Sequence, residues 1–441
     1  MPAPEALAAE LERIIRSAQA ENRLPSVSAA AVHHGEIVWT GAVGLADTDS
    51  GEQATPEHQY RIASVTKTVT AVGLMQLRDE GRLTLDDPLD RHLPEAEHTP
   101  TLRQLLSHLS GLQREVPGEV WETLEMPTRE ELLPKLAEAD RPLAPAAYWH
   151  YSNLAYALLG EVVARVTGGS AEEYLTERVL RPLGMTRTTW TAEEPVAVGY
   201  LVDPYSDVPR REAVIDGRAV APAAELWSTP TDLCRWAAFI ADPDPEVLSP
   251  DTVEEMRTFQ SMVDLARWQL GYGLGFALYR VDDRVFAGHD GAHAGYLAHV
   301  SALPAAKAGA AVLTNSGAGV TISALGIRLS RAVADAFPAV PEEWQPGEPP
   351  PEELGGVLGV WWTEGHQLVF SYRNGALESD FPEARLGLGR SFYVQEGPDL
   401  YRVRKGYERG ELLRIVRDEA GTPAKMYFAT YPVTRTPETT G

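Results

Sequence analysis

Residues 64–77 read Ser64-Val65-Thr66-Lys67-Thr68-Val69-Thr70-Ala71-Val72-Gly73-Leu74-Met75-Gln76-Leu77, an apolar run of helical period that stops at Gly81, a residue suited to a helix C-terminus. Ser64 therefore stands where a loop becomes a buried helix. The spacing puts the Lys67 amine on the same face, within hydrogen-bond reach of the Ser64 hydroxyl. A serine hydroxyl alone is a poor nucleophile. A lysine held neutral by burial can take its proton, and a helix N-terminus favours the negative charge that develops beside it. Lysine is scarce in this chain, at Lys67, Lys135, Lys307, Lys405 and Lys425 only, which makes its use here informative. A lone Ser-x-x-Lys nevertheless arises by chance in many chains, so other features must carry the reading.

Upstream, Leu7, Leu11, Ile14, Ile15 and Ala18 form the stripe of a first helix. Val27 to Val32 and Glu36 to Thr40 flank His34-Gly35 as a β-hairpin. Downstream, Thr101 to Thr189 is mostly helical in pattern and is expected to form a helical subdomain. Pro230 to Ile240 reads as a helix that buries Cys234. Strand signals return at Leu274 to Val281, Val285 to Ala287, Ala298 to Leu303 and Ala310 to Leu313, and an amphipathic helix closes from Ile322 to Ala336. Strands at both ends with helices between imply an α+β domain whose antiparallel sheet closes late.

The character changes at residues 338–356, where Pro338, Pro341, Pro346, Pro349, Pro350 and Pro351 accompany Glu and Gly as in a stiff linker. The expected domains are thus 1–337 and 357–435. The second carries strand-like runs separated by turn residues, from Val357 to Trp362 through Lys425 to Ala429, the pattern of a small all-β barrel or sandwich.

With 44% apolar and 23% charged residues the chain is of ordinary globular composition. A formal charge of −24 argues against nucleic acid and anionic membrane surfaces as partners, since both need clustered Lys and Arg. Cys234 is the only cysteine, so no intrachain disulfide forms. Charged residues interrupt the first apolar stretch and no later stretch reaches about 18 uncharged apolar residues. The cytoplasm is the expected compartment.

Two further stretches carry chemistry. Tyr151-Ser152-Asn153 begins a helix. A phenol beside a lysine can be pushed toward phenolate and pass protons, while an Asn side chain can hold a substrate amide and orient the lysine. Gly288-His289-Asp290-Gly291-Ala292-His293 sits at the edge of a predicted strand, where glycines allow backbone and ligand to approach and an N–H can serve an oxyanion. His289 with His293 suggests a metal pair, but no third ligand at suitable spacing supports one. No metal and no cofactor are expected.

These three stretches, in this order, resemble the serine β-lactamase-like and penicillin-binding family: Ser-x-x-Lys, then Tyr-x-Asn, then His-x-Gly where many relatives have Lys-Thr-Gly. Leu105-Leu106-Ser107-His108-Leu109-Ser110-Gly111-Leu112, Pro182-Leu183-Gly184-Met185 and Leu313-Thr314-Asn315-Ser316-Gly317 add to the resemblance, which covers residues 5–337. It implies an antiparallel sheet flanked by helices, with a helical subdomain at the cleft. It also implies Ser64 as nucleophile, Lys67 as proton acceptor, Tyr151 as general acid/base, Asn153 as positioning residue and His289 at the Lys-Thr-Gly lysine site. The N–H groups of Ser64 and Ala292 would form the oxyanion hole.

Two departures bear on substrate. His289-Asp290 in place of Lys-Thr resembles the esterase, D-aminopeptidase and transacylase branches, because a neutral imidazole grips a carboxylate less surely than an ammonium. Ala223-Ala224-Glu225-Leu226-Trp227-Ser228 stands where relatives commonly have a Gly-Gly pair, so Glu225 and Trp227, with Asp290 and Gly291, are expected to shape substrate binding. The second domain resembles lipocalin-like barrels, with Gly359-Val360-Trp361 echoing Gly-x-Trp. The expected activity is hydrolysis of an ester or amide, as an esterase, a D-amino acid peptidase or amidase, or a weak β-lactamase, on a small-molecule or peptide acyl substrate. Transfer to an amine, as in a transacylase or peptide-cyclising thioesterase, and a silent binding protein are the alternatives, with homo-oligomerisation left open.

Overall fold

A computed structural model describes residues 2–338, 343–382 and 389–437. The chain divides into two compact units, Met1–Ala339 and Val340–Gly441. Residues 339–342, including Pro341 of the expected linker, and residues 383–388 of the expected barrel lie outside the described residues.

The first unit opens with helix α1 (Glu5–Glu21), whose buried side chains are Leu7, Leu11, Ile14, Ile15 and Ala18. A hairpin of β1 (Ser26–His33) and β2 (Glu36–Asp47) follows. Helix α2 (Thr66–Asp79) buries every residue from Thr66 to Leu77, in accord with its apolar run. A largely helical region between Leu102 and Leu180 contains α3 (Asn153–Thr167), and α4 (Pro230–Ala241) comes next. The chain then lays down β3 (Leu270–Tyr272), β4 (Ala277–Val281), β5 (Arg284–His293), β6 (Tyr296–Leu303) and β7 (Ala308–Thr314), and ends the unit on α5 (Ile322–Ala336).

Among the described residues these strands form one nine-stranded antiparallel sheet, ordered Glu52–Gln53, β2, β1, β7, β6, β5, β4, β3, Ser261–Met262. It closes late, as expected, because β1 pairs with β7 from Val27↔Thr314 to His33↔Ala308. Both faces of β7 are covered. Ala311 and Leu313 enter the core shared with Leu233, Trp236 and Ala237 of α4, whereas Ala310 and Val312 join Leu11 and Ile15 of α1 and Leu329 and Val333 of α5. That double burial is why this strand reads as a continuous apolar run, each large aliphatic side chain contributing roughly 1.5–3 kcal/mol.

One strand runs past its sequence signal. β5 continues beyond Ala287 to His293, its pairing with β6 carried by His289↔Val300, Gly291↔Ala298 and His293↔Tyr296. The ladder holds residues of poor strand propensity in extended form.

Among its described residues the second unit is an eight-stranded, nearly closed antiparallel barrel of the lipocalin-like kind, from β8 (Gly359–Thr363) in chain order to β15 (Tyr431–Val433). Trp362 and Thr434 exchange both backbone hydrogen bonds, at 2.7 and 2.9 Å, and bring the last strand back to the first. Trp361, Leu368, Phe370, Leu413 and Met426 fill its interior. The Trp361 indole donates to the Val357 carbonyl at 2.6 Å, with the Arg435 guanidinium 3.8 Å from its ring centre. Leu354 and Val357 also pack inside, so barrel packing begins within the stretch read as linker. Among the described residues no helix is long and apolar enough to cross a membrane.

Candidate active site

Ser64 lies in a single 3₁₀ turn, Ala63–Val65, that feeds directly into α2. Ala63 holds φ at +46°, a conformation costly for a residue with a Cβ and persistent only where its surroundings enforce it. One turn on, Lys67 is fully buried. Its Nζ lies 3.1 Å from Ser64 Oγ, 2.7 Å from Asn153 Oδ1 and 2.8 Å from the Ala223 carbonyl oxygen. Burial drives the Lys67 amine well below the usual lysine range. The Glu115 carboxylate opposes that drop and the Arg114 guanidinium adds to it.

Tyr151 and Asn153 flank the start of α3, and the stretch after Leu106 pins them there. His150 N–H donates to the His108 carbonyl at 2.8 Å and Ser152 N–H to His108 Nδ1 at 3.1 Å. The Ser152 hydroxyl donates to the Gln113 carbonyl at 2.7 Å, and Asn153 N–H donates to the Arg114 carbonyl at 2.6 Å. His108 itself takes φ +56° and is buried, its ring 4.4 Å from that of Tyr151. Burial, then the Lys67 charge, keeps this imidazole well below its ordinary range. Since Nδ1 accepts, the proton sits on Nε2.

The Tyr151 side chain stands beside Ser64, its ring centre 4.8 Å from Lys67 Nζ. Burial raises its pKa above the ordinary phenol value, while the neighbouring Ser64 hydroxyl and Arg114 guanidinium act in the opposite sense. That rise runs against the shift toward phenolate that a neighbouring cation would produce, since loss of solvent favours the protonated phenol.

The third stretch contributes the far wall. Pairing between β4 and β5 ends at Ala277↔Gly288, so residues 289–293 run past the end of β4. A Cβ at Gly291 would overlap the Ile62 carbonyl oxygen, which explains glycine there: the turn bearing Ser64 rests on this strand. His289 is 5% exposed, with Nε2 3.0 Å from the Tyr272 hydroxyl and Nδ1 2.5 Å from the Asp290 carbonyl. Burial, then Lys67, lowers its pKa to about 4, so it is a neutral imidazole near pH 7.

Ser64, Tyr151, Asn153, His289, Asp290 and Ala292 line one cleft, with Lys67 beneath. Its apolar wall is Trp149, Val263, Leu270, Tyr272 and Ala277, and Arg114 with Glu115 stands at its polar end. The Asp290 carboxylate is turned away to His299 Nδ1, 2.5 Å distant. Glu225 and Trp227 do not reach the cleft. Glu225 is buried against Arg61 Nη2 at 2.5 Å and the Gly217 N–H at 2.7 Å, and Trp227 pairs with Arg61 in a short ladder and packs edge-on against Tyr296. The expectation that both shape the cleft is thus corrected: sequence position alone cannot tell an exposed side chain from one facing a buried arginine.

Sequence reading also missed Glu115, Tyr272 and the Ala223 carbonyl. Glu115 accepts from Asn153 Nδ2 at 2.9 and 3.1 Å. Its nearest signal was its place three residues after the Leu105–Leu112 stretch. Tyr272 and the Ala223 backbone carry none.

The chain matches the family model described as Beta-lactamase over residues 11–334, and residues 350–435 match a domain of unknown function. It is 30% identical to penicillin-binding protein 4 of Amycolatopsis lactamdurans over 373 residues, covering 78% of this chain and 95% of that one. It is 36% identical to esterase EstB of Burkholderia gladioli over 208 residues, 43% of this chain and 53% of EstB. The chain spans about half the length of several curated relatives that it matches. Among solved structures, SurE with D-Leu superposes with a TM-score of 0.63 at 26% identity, covering 98% of this chain and 100% of SurE. The D-amino acid amidase of Ochrobactrum anthropi SV3, complexed with L-phenylalanine amide, gives 0.64 at 26% identity, covering 75% of this chain and 97% of the amidase.

Proposed function

Because this chain belongs to the β-lactamase family, we propose that it is a serine hydrolase that opens esters and amides through an acyl group carried on Ser64. The observation that supports this most directly is the setting of Lys67. Its amine is buried and faces two carbonyl oxygens, of Asn153 and Ala223, and one hydroxyl, of Ser64. A neutral amine gives its two N–H bonds to the two carbonyls, which leaves its lone pair for the Ser64 proton.

Lys67 takes that proton as Oγ adds to the substrate carbonyl, and the N–H groups of Ser64 and Ala292 receive the oxyanion. Collapse of the adduct expels the alcohol or amine, which leaves with the proton delivered from Lys67 through the Tyr151 hydroxyl. Water repeats the sequence on the acyl-enzyme and frees Ser64.

A neutral His289 supplies no cation for a substrate carboxylate, which favours plain esters and amides over carboxylate-bearing β-lactams. The apolar wall suits an aliphatic or aromatic acyl side chain. Similarity to an esterase, a D-amino acid amidase and a structure holding D-Leu supports a D-configured amino acid as that acyl group. The cytoplasm is kept as the proposed compartment, and cell fractionation tests it. Self-association is compatible with this reading, and light scattering decides it.

The experiment compares wild type with Ser64→Ala on p-nitrophenyl acetate and on the D and L forms of phenylalanine amide. Serine-dependent release with preference for the D-amide is expected, and an added amine acceptor reports how much acyl group is transferred rather than hydrolysed. A Ser64→Ala protein as active as wild type overturns the scheme.

A further inference from the structure

Lys67 is served by a chain of side chains that ends on a carboxylate. Asn153 Oδ1 meets Lys67 Nζ at 2.7 Å, and Asn153 Nδ2 meets both oxygens of Glu115 at 2.9 and 3.1 Å. Glu115 is held in turn by its neighbours, with Arg114 Nε 3.5 Å from Oε1 and Gln113 Nε2 donating to its backbone carbonyl at 2.8 Å.

We propose that Glu115 is a positioning residue for Lys67 that acts through Asn153, orienting the Asn153 amide and placing a negative charge at the end of the hydrogen-bond line that leads to the amine. This rests on the reading of Lys67 as the base of Ser64.

The orientation follows from donor and acceptor chemistry. An amide can present either end to a neighbour, and a carboxylate only accepts. With Glu115 on one side, the NH₂ end of Asn153 turns to it and the oxygen end turns to Lys67. Without an acceptor there, the flipped amide would set NH₂ against the amine and remove one of its two carbonyl partners.

The charge follows from the surroundings. His108 and Arg114 face Lys67 from the segment that carries Glu115, Tyr151 and Tyr156 face it from α3 and its lead-in, and His289 faces it from β5. The two imidazoles are neutral and the phenols keep their protons. The Asp290 carboxylate is turned to His299. Glu115 is therefore the carboxylate that offsets the burial of Lys67, and losing its charge lowers the lysine's basicity further.

The test uses p-nitrophenyl acetate, which carries no charge for Glu115 to hold. Glu115→Gln keeps an oxygen acceptor for Asn153 and drops the charge, whereas Glu115→Ala drops both. For Glu115→Gln the acid limb of the kcat/KM profile should move to lower pH by about one unit, with a modestly lower plateau and unchanged KM. Glu115→Ala should lose a further factor of about ten in kcat, and circular dichroism checks that each variant is folded. Labelling of Ser64 by a fluorophosphonate separates the two levels of inference. If Ser64 labels and turns over but the Glu115→Gln profile superposes on that of wild type, the role of Glu115 is overturned while the acyl-enzyme reading stands. If turnover survives Ser64→Ala, the acyl-enzyme reading itself is lost.

Discussion

Gly291 lies directly under the carbonyl oxygen of Ile62, so that a single added carbon would overlap it. Two residues after Ile62 comes Ser64, and one residue after Gly291 comes Ala292, so this backbone contact sets the gap in which an oxyanion would sit. Gly291→Ala must push the two segments apart. A misplacement of about 1 Å costs on the order of a hundredfold in rate. We expect kcat/KM to fall by at least that factor with a lowered Tm, and a variant with normal kinetics would show that the gap is adjustable.

Tyr151→Phe separates the hydroxyl from the ring. The ring keeps its packing on His108 at 4.4 Å, so stability should change little. In the proposed scheme the hydroxyl carries the proton between Lys67 and the leaving group, and its loss should lower kcat by about a hundredfold to ten-thousandfold. Steady-state rates on an ester with a poor leaving group measure this most sharply, since that proton is then needed most.

His289 makes the fold acid-sensitive. Its folded-state pKa of about 4 lies below the 6.5 of a free imidazole, so the unfolded chain binds the proton first as pH falls. The stabilising contribution is whole above pH 6.5 and is lost as pH drops toward 4, in all on the order of 3 kcal/mol. Melting curves between pH 7 and 4 should show a shallower decline for His289→Gln than for wild type, and parallel declines would exclude His289 as a source.

Glu225→Ala should act on stability rather than selectivity. It strands Arg61, which is 2% exposed and loses its carboxylate partner. Breaking a buried pair in this way costs about 3–5 kcal/mol. Denaturant unfolding measures the loss, and a changed preference among acyl donors with unchanged stability would return Glu225 to the cleft.

The elements best read from sequence are those whose burial imposes a period. The α1 stripe from Leu7 to Ala18 and the helix from Ile322 to Ala336 were legible in full because one face of each packs on the sheet. Ser64, Lys67, Tyr151, Asn153 and His289 were legible as a set through motif order, and the structure brings them to one place. Glu115 was not, because its importance lies in what it does to Asn153 and comes from the fold of the 108–115 segment. The Ala223 carbonyl was invisible since every residue has one, and only tertiary packing aims it at Lys67. Glu225 was misassigned because a buried ion pair leaves no trace in spacing when its partner is Arg61, far away in the chain. The extent of β5 was underestimated because glycines and a histidine carry no strand signal, and only the ladder with β6 holds them.

Complete burial of Lys67 has a practical side. The chain's other lysines, Lys135, Lys307, Lys405 and Lys425, are all at least partly accessible. Amine-directed coupling therefore reaches the outside of the molecule and leaves the amine beside Ser64 unmodified. An amine-directed resin or fluorophore should attach through the accessible lysines and spare Lys67.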